Sequence, residues 1–314
     1  MHRPILLSAC FCCGPAPWLG ACGDDAATDD AGDAADRTDS AEADSSAEAE
    51  AEADADDTAE SATDGEDQVD GPCPDCGMIR IYVAGDATAK TFTDGLSGQT
   101  PFDYFIGVSS YRALRSADDP SPISCFDYGA DTFAIDLQTD NLVGRCATSS
   151  FPLGTYTHGM TKVDWITYKV LGDVHYGGAT LPATFQIFKA FSACDYDGHH
   201  YGAGEGWIGY DVSGTTGQIP YVFPDLPSLP GVSFVTEGDS FWMVFPFTHP
   251  FLIGASDSAE HWSRMFWEIF ESFRWTDLRL TGYAAGRWDV SSTGDTETPQ
   301  MFGVSGYHIE SSAD

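Results

Sequence analysis

The sequence predicts a mainly β protein: an antiparallel β-sandwich, or barrel-like, domain with one amphipathic helix, preceded by a disordered acidic linker. Three observations lead there. Many short segments alternate or run apolar at strand length with turn residues between them, one later run repeats its apolar residues at helical spacing, and composition changes abruptly near residue 70.

The strand-like segments are Met78–Val83, Tyr104–Ser109, Thr132–Leu137, Asp164–Val170, Thr184–Phe191, Trp207–Val212, Ser240–Phe247, Phe273–Leu280 and Met301–Ile309. Turn chemistry such as Gln138-Thr139-Asp140-Asn141 and Asp195-Tyr196-Asp197-Gly198 separates them. Short strands divided this way favour a sandwich or barrel over a parallel sheet with crossover helices. Four prolines between Ile219 and Gly231 predict an extended loop there. The helix is expected from Asp257, where Asp257 and Glu260 make a capping-box-like start. Trp262, Met265, Phe266, Ile269, Phe270 and Phe273 then form an apolar stripe that should cover one end or face of the sheets.

Ahead of this domain, residues 24–70 hold twenty acidic residues against Arg37 alone, and no aromatic residue. Such a stretch cannot bury enough apolar surface to offset its ordering entropy, so it reads as a self-repelling tether. A neutral flexible chain of this length would span roughly 40 Å, and full extension approaches about 160 Å.

Residues 1–22 join one basic residue, Arg3, to a mostly apolar run from Pro4 to Leu19, too short for a stable membrane-spanning helix and interrupted by Pro15 and Pro17. The run ends Leu19-Gly20-Ala21-Cys22, which resembles the lipobox of bacterial lipoprotein signal peptides. The resemblance implies cleavage before Cys22 and a diacylglyceryl group on its sulfur. It divides the chain into a signal peptide (1–21), a lipid-anchored acidic tether (22–70) and a β-rich globular domain (71–314). It also implies a membrane partner reached through the acyl chains, each buried CH2 contributing about 0.8 kcal/mol. The acidic pair Asp24-Asp25 resembles signals for surface display, which places the protein at the outer membrane or cell surface of a bacterial envelope. Within the domain, Gly154-Thr155-Tyr156, Leu181-Pro182-Ala183-Thr184-Phe185 and Gly238-Asp239-Ser240-Phe241 resemble elements of lipoprotein β-sandwich domains of unknown function, a likeness that carries no activity.

Charge excludes one class of partner. The formal net charge is -35, and residues 71–314 alone hold twenty-nine acids against twelve bases. A phosphate backbone is bound by clustered Lys and Arg, so nucleic acid is not an expected partner.

Beyond Cys22 five cysteines remain: Cys73, Cys76, Cys125, Cys146 and Cys194. In an exported protein all are disulfide candidates, and the odd number leaves one thiol free or paired outside the chain. Cys125 and Cys146 flank an apparent hairpin and are the first pair expected; Cys194 is within reach of Cys73 or Cys76. The Cys73-Pro74-Asp75-Cys76 spacing lacks the second pair that a zinc ribbon requires, and it follows a tether rather than joining a strand to a helix as a redox motif would.

The sequence assigns no catalytic residue and no cofactor. Both Gly107-Val108-Ser109-Ser110 and Gly303-Val304-Ser305-Gly306 lack the spacing of a nucleophile elbow. The most polar cluster is Asp195, Asp197, His199 and His200, whose carboxylates and imidazoles are weak candidates for a cation site. Its spacing does not match an EF-hand, and Asp197-Gly198 is equally a hairpin turn. Trp165, Trp207, Trp242 and Trp288 lie in or beside strands; most of them should be core, and an exposed flat ring would stack on a sugar. The expected function is therefore a non-catalytic binding or scaffolding lipoprotein of the envelope, its partner a carbohydrate or another envelope protein. The alternative is a glycoside-type hydrolase with an acidic site that no local motif reveals.

Overall fold

The computed structural model describes residues 77–223, 226, 231–255 and 259–312. The expected signal peptide, the tether, Cys73, Cys76 and part of the proline-rich loop lie outside these residues.

Nineteen strands follow one another in the described chain. They are β1 (Met78–Asp86), β2 (Ser97–Gln99), β3 (Phe102–Leu114), β4 (Ile123–Asp127), β5 (Phe133–Asp136), β6 (Asn141–Ala147), β7 (Gly154–Tyr176), β8 (Ala179–Ala190), β9 (Cys194–Tyr196) and β10 (His199–Tyr201). There follow β11 (Gly206–Val212), β12 (Thr215–Pro220), β13 (Ser233–Glu237), β14 (Ser240–Ile253), β15 (His261–Glu268), β16 (Phe273–Trp275), β17 (Trp288–Ser291), β18 (Pro299–Met301) and β19 (Gly306–Ser311). The helical content among the described residues is a single 3-10 turn at Thr148–Ser150.

The strands form a curled antiparallel sheet, a half-barrel, with a smaller sheet that shares its hydrophobic core. The 23-residue β7 is the spine of the large sheet. On one side its first half pairs with β14 and its second half with β8. On the other side it pairs with β3 and then with β17. β11 and β12 extend the sheet beyond β8, β13 extends it beyond β14, and β4 and β5 both pair with β3. The small sheet runs β19-β15-β1-β6. Two pairings depart from the antiparallel rule: β1 runs parallel to β15, and β17 parallel to β7.

Alternation decides which face is buried. In β1, Ile79, Ile81 and Val83 point inward and meet Ile106, Val108 and Tyr111 of β3 in one continuous core. A third small sheet, β18-β16-β2, adds Phe273 and Trp275 to that core. Between these two aromatics, Arg274 is also buried: its guanidinium donates to Asp94, Glu271 and the Leu96 carbonyl and lies over the Phe92 ring at 3.9 Å.

The expected amphipathic helix is a strand. Residues 261–268 form β15, paired with β1 on one side and β19 on the other, with strictly alternating burial. His261, Ser263, Met265 and Trp267 face inward. Two of these inward residues are polar, while outward-facing Trp262 and Phe266 are apolar, and that inversion imitates a helical stripe. Outside, Arg264 lies 5.0 Å from the Tyr82 ring and Phe266 stacks on His308 at 4.4 Å. The segments expected at Phe273–Leu280 and Met301–Ile309 are also shorter as strands, reduced to β16 and to the separate β18 and β19.

Cys125 and Cys146 form a disulfide, Cα to Cα 5.1 Å. It joins β4 of the large sheet to β6 of the small one, so it ties sheets together rather than closing one hairpin. Cys194 is a buried free thiol, and the partners expected for it, Cys73 and Cys76, lie outside the described residues.

Candidate ligand site at the fork of the spine strand

The large sheet has one structural discontinuity with chemical content. At Val163 and Asp164 the neighbour of β7 changes from β14 to β8. On the opposite side Gly107 faces Trp165 and Val108 faces Val163, leaving Asp164 as an extra residue. A bulge of this kind inverts the inward and outward faces of a strand and re-aims a side chain. Val163 and Ile166 accordingly both point into the core, three residues apart. Gly107 is required opposite: a Cβ there would lie 2.4 Å from the Trp165 ring.

The chain crosses the fork through Ser192. The N–H groups of Phe191 and Ser192 both donate to the Asp164 carbonyl, the Ser192 hydroxyl donates to the Val163 carbonyl, and the Phe241 N–H donates to the Ser192 hydroxyl. From there β9 and β10 form a hairpin over the outer face of the sheet. Its turn is Asp197-Gly198, with φ of 49° and 75°, the left-handed pair that a two-residue hairpin favours. Tyr196 and Tyr201 pack on Phe188 at 4.5 and 4.7 Å, making a second apolar cluster with Trp165 and Cys194.

A recess of about 120 Å³ opens between this hairpin and the loop before β5, lined by Gly129, Ala130, Thr132, Lys162, Asp164, Ala193, Cys194, Asp195 and His200. Asp164 is 2% exposed. Its Oδ2 accepts from the Thr132 hydroxyl at 2.9 Å, while its Oδ1 accepts no hydrogen bond and has the Lys162 ammonium at 3.4 Å. Asp195 and His200 face each other across the hairpin, with Nδ1 of His200 2.8 Å from Oδ1 of Asp195. The Cys194 thiol lies 3.8 Å from the Asp164 carbonyl, and burial, reinforced by the charges of Asp164 and Asp195, pushes its pKa up to about 12. It stays protonated at neutral pH and is a poor nucleophile.

Of the four residues singled out as weak cation candidates, the structure brings Asp195 and His200 to the recess. Asp197 sits at the hairpin tip, and His199 pairs opposite Tyr196. Among the described residues no group of three or more His, Cys, Asp or Glu side chains is arranged to hold a metal. As expected for most of the four tryptophans, Trp165, Trp242 and Trp288 are buried, and half-buried Trp207 stacks on Phe188. Sequence reasoning missed Thr132, Lys162 and Asp164. The signal was present in the broken alternation around Asp164, where the apolar parity of the strand reverses.

A second polar cluster lies where β17 meets β7. Asp289 and Glu297 are both 0% exposed. Asp289 holds Nε2 of His175 at 2.6 Å and accepts the Ala284 N–H, while Glu297 accepts the N–H groups of Leu278 and Asp289. The Tyr283 ring stacks on His175 at 4.4 Å. Every carboxylate oxygen here already has a partner from the chain, so this pair clamps the 277–297 segment onto the sheet and offers nothing to a glycosidic bond.

No protein-family model, curated protein or solved structure matches the chain. Fold and site therefore define the class from the molecule itself: a disulfide-tied half-barrel of antiparallel strands with a small polar recess on its outer face.

Proposed function

We propose that this chain is an exported lipoprotein, acylated on Cys22 and anchored to the cell envelope, whose half-barrel is a non-catalytic binding or scaffolding module. Its partner is a polysaccharide or another envelope protein. The observation that carries the reading is the Cys125–Cys146 disulfide. A bridge of this kind persists in oxidising compartments outside the cytoplasm, which is where the lipobox-like Leu19-Gly20-Ala21-Cys22 would send the domain. The recess supports binding over catalysis, because its thiol is held protonated and its buried carboxylate is already engaged by Thr132 and Lys162. The acidic tether would hold the domain clear of the membrane that anchors it.

Cys22→Ala tests the anchor. The variant is expected to lose incorporation of labelled fatty acid and to move from the membrane fraction to the soluble fraction. Unchanged labelling and membrane retention in the variant would contradict the reading.

A further inference from the structure

We propose that the outer face of the four-stranded sheet β19-β15-β1-β6 is a self-association surface, on which a second copy of this chain packs face to face. This goes beyond the reading of the domain as a binding module and does not depend on the anchor. What points to it is an aromatic, arginine-bearing face with one unmatched charge of each sign on its two opposite edge strands.

Alternation places Trp262, Arg264 and Phe266 of β15 on the outer face, beside Arg80 and Tyr82 of β1. The Arg264 guanidinium lies 5.0, 5.7 and 6.0 Å from the Tyr82, Trp262 and Phe266 rings. Its buried Nε has no acceptor among the described residues. The three rings are half-buried on the side turned away from the core, and Leu142 of β6 extends the apolar area at 37% exposed. Trp, Tyr and Arg are the residue types that anchor protein interfaces, and a cluster already held in place loses little freedom on binding.

Charge selects a second copy of the chain as the occupant. Residues 71–314 carry twenty-nine acids against twelve bases, so most faces of two copies repel each other. At the centre of this face the signs balance: Arg80 pairs with Glu260 at 2.6 Å, and Arg264 with Asp140 at 2.6 Å. Two exposed charges are left over, because among the described residues neither Arg145 nor Glu310 has an ion-pair partner. Arg145 sits on β6 directly opposite Arg80, a like-charge pairing that costs stability, and Glu310 sits on β19. These strands are the two edges of the sheet. A two-fold axis parallel to the strands, between β15 and β1, lays β19 of each copy over β6 of the other. It sets Glu310 of one copy against Arg145 of the other, twice per dimer. Along the strands the two residues differ by one same-face step, about 7 Å, which an arginine side chain spans between sheets about 10 Å apart. Four strands about 4.8 Å apart, with β15 eight residues long, cover roughly 500 Å² per copy. The pair then buries about 1,000 Å², the size of a weak and reversible interface.

The test is sedimentation equilibrium of the full chain carrying Cys22→Ala, so that no acyl chain contributes to association. A monomer–dimer equilibrium is expected at protein concentrations up to about 1 mM, the affinity range of a small interface. Arg145→Glu and Glu310→Arg alone each set like charges against one another and should weaken the dimer about ten-fold or more. Both substitutions together restore opposite charges and should return the dimer to within about three-fold of the parent. Asp197→Asn, at the tip of the β9–β10 hairpin, should leave it unchanged. A chain that stays monomeric throughout would overturn the proposal and leave the face to a partner of another kind. A dimer that neither single substitution weakens, or a double variant no tighter than the single ones, would overturn it equally.

Discussion

At the scale of single residues, two buried acids show how differently one fold treats a carboxylate. Asp164 keeps one buried oxygen with only the Lys162 ammonium beside it, at 3.4 Å, whereas both oxygens of Glu297 accept backbone N–H groups. Burial raises the pKa of Glu297 above its ordinary 4.5, the two N–H bonds oppose this, and the charges of Asp289 and Asp277 add to it. The consequence for stability has a definite sign. Between the unfolded and the folded pKa of this residue the native state binds more protons than the unfolded chain, so its contribution falls as pH rises through that window. Asp119, by contrast, is held below its usual range by the N–H groups of Arg115 and Ser121, and its contribution is lost as pH falls through its lowered folded pKa. The contribution of Glu297 to the thermal midpoint is therefore expected to decline as pH rises from 4.5. In Glu297→Gln that decline should be shallower. The variant should also be less stable at low pH by about 1–3 kcal/mol, since an amide can accept only one of the two N–H groups through its oxygen. A variant whose pH slope matches the parent would remove Glu297 as the cause.

At the scale of elements, the strands that were legible in the sequence are those with one buried face. β1, β8 and β11 show their alternation or apolar run directly, and the Asp197-Gly198 turn fixes the β9–β10 hairpin. β15 was not legible because both its faces carry large side chains and its inward row includes His261 and Ser263. Helical spacing in Trp262, Met265, Phe266 and Ile269 then outweighs a period of two. The recess was hidden for a related reason: its walls come from β7, from the loop before β5 and from the hairpin, and they meet only because one extra residue in β7 turns Asp164 out of register. The disulfide was half legible. The pairing of Cys125 with Cys146 follows from the sequence, but their residence in different sheets does not. Replacing both cysteines with Ser is expected to cost about 3 kcal/mol, because a 21-residue separation is no longer closed in the unfolded chain. Chemical denaturation of the double variant measures this, and a midpoint equal to that of the oxidised parent would mean that strand pairing alone holds the two sheets together.

At the scale of the whole molecule, a formal charge of -35 sets the chain apart from proteins that bind phosphate backbones. The half-barrel buries its aromatics, turns a polar recess outward and is joined by a bridge that an oxidising environment preserves. Of these features the bridge is the one that supports our proposal of display outside the cytoplasm on a lipid-modified N-terminus. Intact-mass and peptide mass spectrometry of the protein purified from its own membranes tests that claim most directly. The account predicts a mature chain that begins at Cys22 and carries the added mass of acyl chains on that residue. A mature chain with an unmodified Cys22, or with any other first residue, would contradict it.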